Sequence, residues 1–421
     1  MTPASYSWRR WVEPWYLTYA LQGAVIAGLL PILLPLAASH AGNAAGIGLV
    51  MAGLSLGGLT APLWGSLADR YRLHRWLLVG GLLITTAGLV VFSFTQHPAA
   101  WIGLALLIGF GAAGAATVAN LFVVEVHPKS EWDERIGWLQ TFYGLGQVGG
   151  LLLAGVLSQT GLRTGLLVVA GASGMAALLG WLTTKTPSIP LEQKPVLLHP
   201  PRHGEWAISS PQRLFHHLDL TAIKKLGPAM RSPFGLLLGV WLIAIAGSAA
   251  FFSQYPLLMQ NVFGIPPGVS SAAFAVVAGL GLALYSPAGN WSESIGPVRV
   301  LRISLGIRWL AYIGLLALGF THLGFQDRLA LLGFGFVVCA WSLISISGTT
   351  LAAQLSPVGE GEGLGIFNAT YALAGVIGAA LGGLAAGLWG YNFVAALAVA
   401  GVAIGLVLSL LLPAAHSQVK K

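Results

Sequence analysis

Residues 65–75 read GSLADRYRLHR, and residues 289–299 read GNWSESIGPVR. At an offset of 224 the two stretches align Gly65 with Gly289, Asp69 with Glu293 and Arg75 with Arg299. Each follows a long apolar run, in a chain of which only 8% is Asp, Glu, Lys or Arg. Charge concentrated at two matching places in so apolar a chain points to a duplicated architecture whose charges are held outside an apolar medium.

That medium is a lipid bilayer. Soluble domains carry roughly a quarter charged residues, whereas this 421-residue chain is 56% hydrophobic with a mean hydropathy of +0.79. A spanning helix needs about 20 mainly apolar residues. A window of that length finds twelve, at roughly 15–38, 44–64, 76–95, 100–123, 136–158, 162–183, 233–259, 268–288, 300–320, 328–352, 363–386 and 390–412. The strands of a closed barrel alternate and are far shorter. The expected fold is an all-α membrane protein of twelve transmembrane helices. Arg9 and Arg10 precede the first span without a small-residue cleavage site, so that span is expected to stay as a helix.

Basic residues favour the cytoplasmic side of a membrane. With the N-terminus inside, every Lys and Arg except Arg163, Arg328 and Arg308 falls in a cytoplasmic segment. Both termini are then cytoplasmic. The net charge of +8 is read as topological, because nucleic-acid binding needs basic residues clustered on a solvated face. No nucleic-acid partner is expected; the partners are the lipid bilayer and a small molecule, and the chain is expected to be a monomer. Cys339 stands alone, which rules out an intrachain disulfide and a Cys-based metal cluster. No metal or cofactor is expected.

Residues 184–232 form the one long polar break and divide the spans six and six. The expected units are 1–183, an N-terminal six-helix bundle; 184–232, a cytoplasmic linker; and 233–421, a C-terminal six-helix bundle. Residues 215–227 either form an amphipathic helix on the inner membrane surface or continue a flexible linker. The halves also match at an offset of 228, where GWLQTFYGLGQVGGLLLAG from Gly137 meets GIFNATYALAGVIGAALGG from Gly365. Gly137, Tyr143, Gly150 and Gly155 fall on Gly365, Tyr371, Gly378 and Gly383, and Gln140 falls on Asn368. Gly146-x-x-x-Gly150 and Gly378-x-x-x-Gly382 are spacings that let membrane helices approach closely.

With these features the chain resembles the major facilitator superfamily of secondary transporters, which has two pseudo-symmetric six-helix bundles joined by a basic loop. GSLADR matches the first half of that family's signature after the second helix, while Arg72 and Leu73 replace its later Gly and Arg. EVHPKSEWDER, with Glu125, Pro128 and Arg135, resembles the family's loop after the fourth helix. The resemblance implies a cytoplasmic gate in which Asp69 meets the start of the eleventh helix and Glu293 the start of the fifth. Arg70 and Arg135 would orient Asp69 and Glu125, and Arg299 repeats Arg75. A carboxylate at a helix N-terminus is favoured by unsatisfied N–H groups and the helix dipole. Val148-Gly149-Gly150 stands where the family's antiporters often carry Gly-Pro.

The family's cavity-lining helices carry Tyr19, Gln22, Asn120, Gln140, Tyr143, Gln147, Gln254, Tyr255, Tyr285, Trp341, Ser345, Asn368 and Tyr371 as candidate substrate contacts. Such a set of rings and amides suits a neutral or lipophilic molecule better than a dicarboxylate or phosphate ester. None of the 13 acidic residues lies in the middle of a span. Proton coupling, if present, would use a helix-end group, with Glu125 the first candidate; otherwise the carrier is a uniporter. Arg308 is the one charge deep in a span, and it either pairs with a carbonyl or snorkels, or binds an anion. The expected function is secondary transport across a bacterial inner membrane by alternating access, with efflux favoured. Uptake of a sugar or other neutral nutrient, and a non-transporting sensor, are the alternatives. An enzyme would need a paired acid and base or a metal cluster at membrane depth, which the census of acids and histidines does not supply.

Overall fold

The computed structural model describes residues 11–39, 43–71, 73–128, 131–184, 230–321, 324–357 and 360–413, without the side chains of 66, 69–71, 124, 125, 133 and 360–362. The expected surface helix at 215–227 lies outside the described residues. Every regular element among the described residues is helical. The helices are α1 (Tyr16–Ser39), α2 (Ala44–Gly58 continued by Ala61–Tyr71), α3 (His74–Phe94), α4 (Pro98–Val126), α5 (Trp132–Leu157) and α6 (Leu162–Thr183). After the linker come α7 (Pro233–Phe263), α8 (Pro267–Ile295), α9 (Pro297–Leu318), α10 (Gln326–Leu355), α11 (Glu360–Trp389) and α12 (Tyr391–Ser409).

Eleven of these are long and apolar enough to cross a membrane by composition. The remaining one is α5, whose Gln140, Thr141 and Gln147 lower its hydropathy. The lipid-facing surface is apolar, as Leu182, Leu310, Val407 and Leu411 illustrate, each more than half exposed. In water those side chains would be buried; a bilayer solvates them and leaves backbone hydrogen bonds inside each helix. Pro35, Pro256 and Pro287 sit inside helices, which membrane helices accommodate because neighbouring groups re-satisfy the freed carbonyls. The α7–α8 turn closes on Gly264 at φ 66, a left-handed conformation costly for any residue with a Cβ.

Glycine sets the helix spacing, and it does so twice. Within the first half, α5 lies against α1: a Cβ on Gly150 would lie 2.7 Å from the Ala24 Cα. Within the second half, α11 lies against α7 in the same way, with a Cβ on Gly382 placed 2.6 Å from the Ala250 carbonyl oxygen and one on Gly378 colliding with the Ala246 carbonyl. Residues 24–29 of α1, which face α5, form a π-helical turn, a feature common at functional sites.

The two halves touch through a second pair of glycine contacts. Gly48 of α2 meets Gly383 of α11, where an added Cβ would lie 2.6 Å from the opposing Cα, and Gly155 of α5 meets Gly268 of α8 at 3.0 Å from its carbonyl oxygen. Gly155 and Gly383 are partners at the 228-residue offset, so the repeat read from the sequence recurs as matching contacts between halves. The Ser271 hydroxyl donates to the Leu151 carbonyl beside the α5–α8 contact, and Gln254 Nε2 donates to the Ala44 carbonyl at 3.4 Å beside the other. All four contacts lie toward the ends of the helices away from the basic loops. The face carrying those loops is called the basic face below, and the other the opposite face.

Overpacking a tight backbone contact costs about 1–3 kcal/mol, enough to move a two-state equilibrium roughly tenfold. Gly48→Ala should therefore loosen the opposite face. In a Cys339→Ser background with a cysteine at Gln159, labelling by an impermeant maleimide from that face is expected to accelerate at least about threefold. An unchanged rate would show that the Gly48–Gly383 contact does not hold the halves together.

Candidate functional site

At mid-depth, toward the basic face, side chains of α1, α4 and α5 face those of α8, α10 and α11, a region called the cleft below, with Gly144 of α5 against Leu282 of α8 at its edge. Tyr19 and Tyr143 pack with ring centroids 5.0 Å apart. Asn120 Nδ2 donates to the Ala116 carbonyl at 2.9 Å and reaches the Tyr19 hydroxyl at 3.4 Å, while Gln140 Nε2 donates to Asn120 Oδ1 at 3.2 Å. Across the cleft, Tyr371 packs on Trp341 at 5.7 Å, and the Tyr285 hydroxyl faces Ser345 and the Trp341 indole. Tyr143 and Tyr371, equivalent in the repeat, lie within electrostatic reach of one another. Tyr371 is 47% exposed although neighbours from both halves surround it, and Gln140 and Asn368 are exposed one turn nearer the basic face. Both tyrosines are eleven residues into 26- and 30-residue helices, about 16 Å from the basic end.

Four of the expected contacts lie elsewhere. Tyr255 is buried in the second half, stacked on Phe334 at 4.2 Å and donating to the Ser270 carbonyl at 2.8 Å. Gln22 turns into the first half, where it donates to the Ala112 carbonyl at 2.9 Å. Gln254 belongs to the closure at the opposite face. In each case packing decided which face of the helix looks inward. Gln147 is half-buried on the α5 surface that meets α1. A separate cavity of about 650 Å³, lined by Phe92, Trp101, Gln159, Arg163 and Gln260 among others, opens at the opposite face, away from the tyrosines.

The expected gate is partly described. The side chains of Asp69, Arg70 and Glu125 lie outside the described set. Glu293 and Arg299 are exposed and make no hydrogen bond or ion pair among the described residues, so the contact expected between Glu293 and the start of α5 is unmade in this conformation. Arg75, the repeat partner of Arg299, stays within its own half: it donates to the Trp181 carbonyl and lies 4.2 Å from that ring centroid.

Arg135 has described partners other than the expected Glu125. It is 7% exposed and donates to Glu131 Oε2 at 2.9 Å and to Glu13 Oε1 at 3.0 Å. Glu13 also accepts from Trp15 Nε1 at 2.9 Å and meets His127 Nε2 at 2.7 Å. Sequence reasoning missed Glu13 as a site residue, although a carboxylate among the tryptophans of WRRWVEPW was the available signal. Burial holds the His127 imidazole below its ordinary value, the Glu13 carboxylate opposes that shift, and the Arg135 guanidinium reinforces it. A neutral imidazole then donates through Nε2 to Glu13.

Arg308 of α9 is 2% exposed, and its guanidinium carbon lies 5.6, 5.8 and 5.6 Å from the rings of Phe252, Tyr312 and Trp341. It neither snorkels nor finds a carbonyl through Nε and Nη1, both buried without a hydrogen-bond partner. Burying an unpaired guanidinium costs several kcal/mol, and cation–π contacts near the limit of their reach offset only part, about 0.5–2 kcal/mol each at best.

The model of the Major Facilitator Superfamily matches residues 15–347. The chain belongs to that superfamily. The Yersinia enterocolitica multidrug resistance protein MdtG is 24% identical over 74% of this chain and 72% of its own. The Arabidopsis thaliana protein named probable anion transporter 4, chloroplastic, is 24% identical over 82% of this chain and 70% of its own. Among solved structures, the nucleoside transporter NupG superposes with a TM-score of 0.68 at 16% identity, covering 94% of this chain and 96% of that one. The protein is thus a multi-pass membrane transporter of the superfamily and not an enzyme.

Hydrogen bonds to charged groups contribute about 1.5–3 kcal/mol, and Glu13 is partly exposed, so Glu13→Gln is expected to destabilise the purified protein by about 1–3 kcal/mol. The His127 contribution has a definite sign. Because its folded-state value lies below 6.5, the unfolded chain takes up the proton first, and stability falls as pH drops below 6.5. Thermal unfolding in detergent checks both points: an unchanged midpoint for Glu13→Gln would make the cluster energetically idle, and His127→Gln should weaken the decline below pH 6.5.

Proposed function

We propose that this protein moves a small, largely apolar molecule across the membrane by alternating access, exporting it from the cytoplasm. The supporting observation is the cleft itself: rings and amides contributed by both halves, with the halves held together at the opposite face. On the distribution of Lys and Arg we read the basic face as the cytoplasmic one, so that this conformation is inward-facing and both termini are cytoplasmic in a bacterial inner-membrane protein. Residues 1–183 and 233–421 act as the two rocking bodies, joined by 184–232. Asp69, Arg70 and Arg299 belong to the gate that closes when the cytoplasmic ends converge, with Glu293 meeting the start of α5.

Five rings and three amides give a substrate apolar faces to stack on and few directed hydrogen bonds, which favours a lipophilic molecule over a sugar. Efflux is consistent with the multidrug resistance relative, though other relatives carry names implying anion or inositol transport. Proton coupling falls to a helix-end carboxylate, Glu125 or Glu13, since no acidic residue occupies the middle of a span.

In proteoliposomes the protein should move Nile red, a neutral lipophilic dye, and D-glucose should neither move nor compete. Trp341→Ala and Tyr371→Ala should each lower dye flux at least about fivefold, the loss of a stacking contact of roughly 1 kcal/mol, with protein level unchanged. Glucose flux, or dye flux indifferent to both variants, would overturn the reading.

A further inference from the structure

Arg308 is the feature that the cleft alone does not explain. It lies midway along α9, residues 297–318, about 15 Å from either end. That is the depth of Tyr143 and Tyr371, and it is beyond the reach of lipid headgroups. Acidic side chains are absent from this depth throughout the sequence. A guanidinium is a cation that carries donors and no acceptor.

Among the described residues, its surroundings hold several donors without acceptor partners. Arg308 Nε and Nη1 are buried without partners, and so are the Tyr312 hydroxyl and the Trp241 indole N–H. The Trp241 ring lies 6.1 Å from that of Trp341, which in turn adjoins Arg308. Buried polar groups are normally satisfied, and donors left without acceptor partners are completed by an anion. The route to it is short. Trp341 touches Arg308 on one side and Tyr371 on the other, and the charge of Arg308 reaches the Tyr371 hydroxyl.

We propose that Arg308 anchors the carboxylate of a lipophilic monoanion whose apolar body lies among Tyr19, Tyr143, Tyr371 and Trp341. The two oxygens of a carboxylate match the planar fork of a guanidinium. One cation matches one negative charge, so a dianion would leave a charge uncompensated at membrane depth. This replaces the neutral substrate expected from the sequence with a lipophilic acid, and it rests on the cleft being the transport site.

The test compares 1-pyrenebutyrate with its methyl ester, binding being followed by pyrene fluorescence on the purified full-length protein in nonionic detergent. The wild type is expected to bind the acid at least about tenfold more tightly than the ester. Arg308→Gln should erase that preference while leaving ester affinity within about twofold, and Arg308→Lys should keep part of it. Equal binding of acid and ester by the wild type, or a preference that survives Arg308→Gln, would overturn the proposal and make Arg308 a structural plug. In either case ester binding leaves the apolar cleft standing, whereas a wild type that binds neither probe overturns both readings. Should Arg308→Gln fail to fold, the wild-type comparison and Arg308→Lys decide alone.

Discussion

The close approach of glycine backbones between the two halves is the constraint on which the rest of the structure depends. Gly48 with Gly383 brings α2 to α11 closer than a side chain would allow, and Gly155 with Gly268 brings α5 to α8 to a spacing that is tight for any Cβ. Membrane helices lack a hydrophobic drive to associate, since lipid tails are as apolar as leucine, so they associate by packing. Contacts of this kind are tight yet carry few directed bonds: among the described residues, Ser271 donates to the Leu151 carbonyl and Gln254 to the Ala44 carbonyl beside them. Among the described residues no ion pair joins the halves there, so such an interface closes by packing and can separate as alternate opening on two sides requires.

Closure at one face dictates the cleft at the other. α5 and α11 each meet the opposite half near Gly155 and Gly383 and again at mid-depth, where Gly144 faces Leu282 and Gly375 faces Ser55; nearer the basic face Gln140 and Asn368 are exposed, and Tyr371 is half open. Within each half the crossings of α5 on α1 and of α11 on α7 keep those helices from moving independently. Motion is thereby directed to the interface between halves. The bilayer adds a second constraint by holding charge at helix ends: the Glu13, His127, Arg135 and Glu131 cluster sits at the basic end of its half. Arg308 is the exception, and its orphaned donors mark where the protein's own groups do not complete the electrostatics.

Much of this was legible in the sequence for a physical reason. A bilayer demands long apolar helices, so spans and their count appear as composition, and duplication leaves glycine and tyrosine in register at a fixed offset. The offset placed Gly155 on Gly383 and Tyr143 on Tyr371, and the structure gives each pair equivalent roles. Orientation about a helix axis was less legible. Gln254 and Tyr255 are neighbours in sequence and both polar, yet one bridges the halves while the other stacks on Phe334 inside its own. A span that meets lipid or apolar neighbours on every side is apolar all round, with no single stripe to mark which face turns inward. Glu13 escaped notice because its partners His127 and Arg135 are more than a hundred residues away. The aromatic surroundings of Arg308 likewise come from α7 and α10 as well as its own helix.

The central claim is that the halves rock about the cleft, opening one face as the other closes. Spin-label distances report this directly in proteoliposomes, with one label pair at Leu73 and Ile295 on the basic face and another at Ala100 and Phe325 on the opposite face. On adding a transported lipophilic molecule, the account predicts that the first distance distribution shifts shorter while the second shifts longer. Two distributions that stay fixed, or that shorten together, would contradict it.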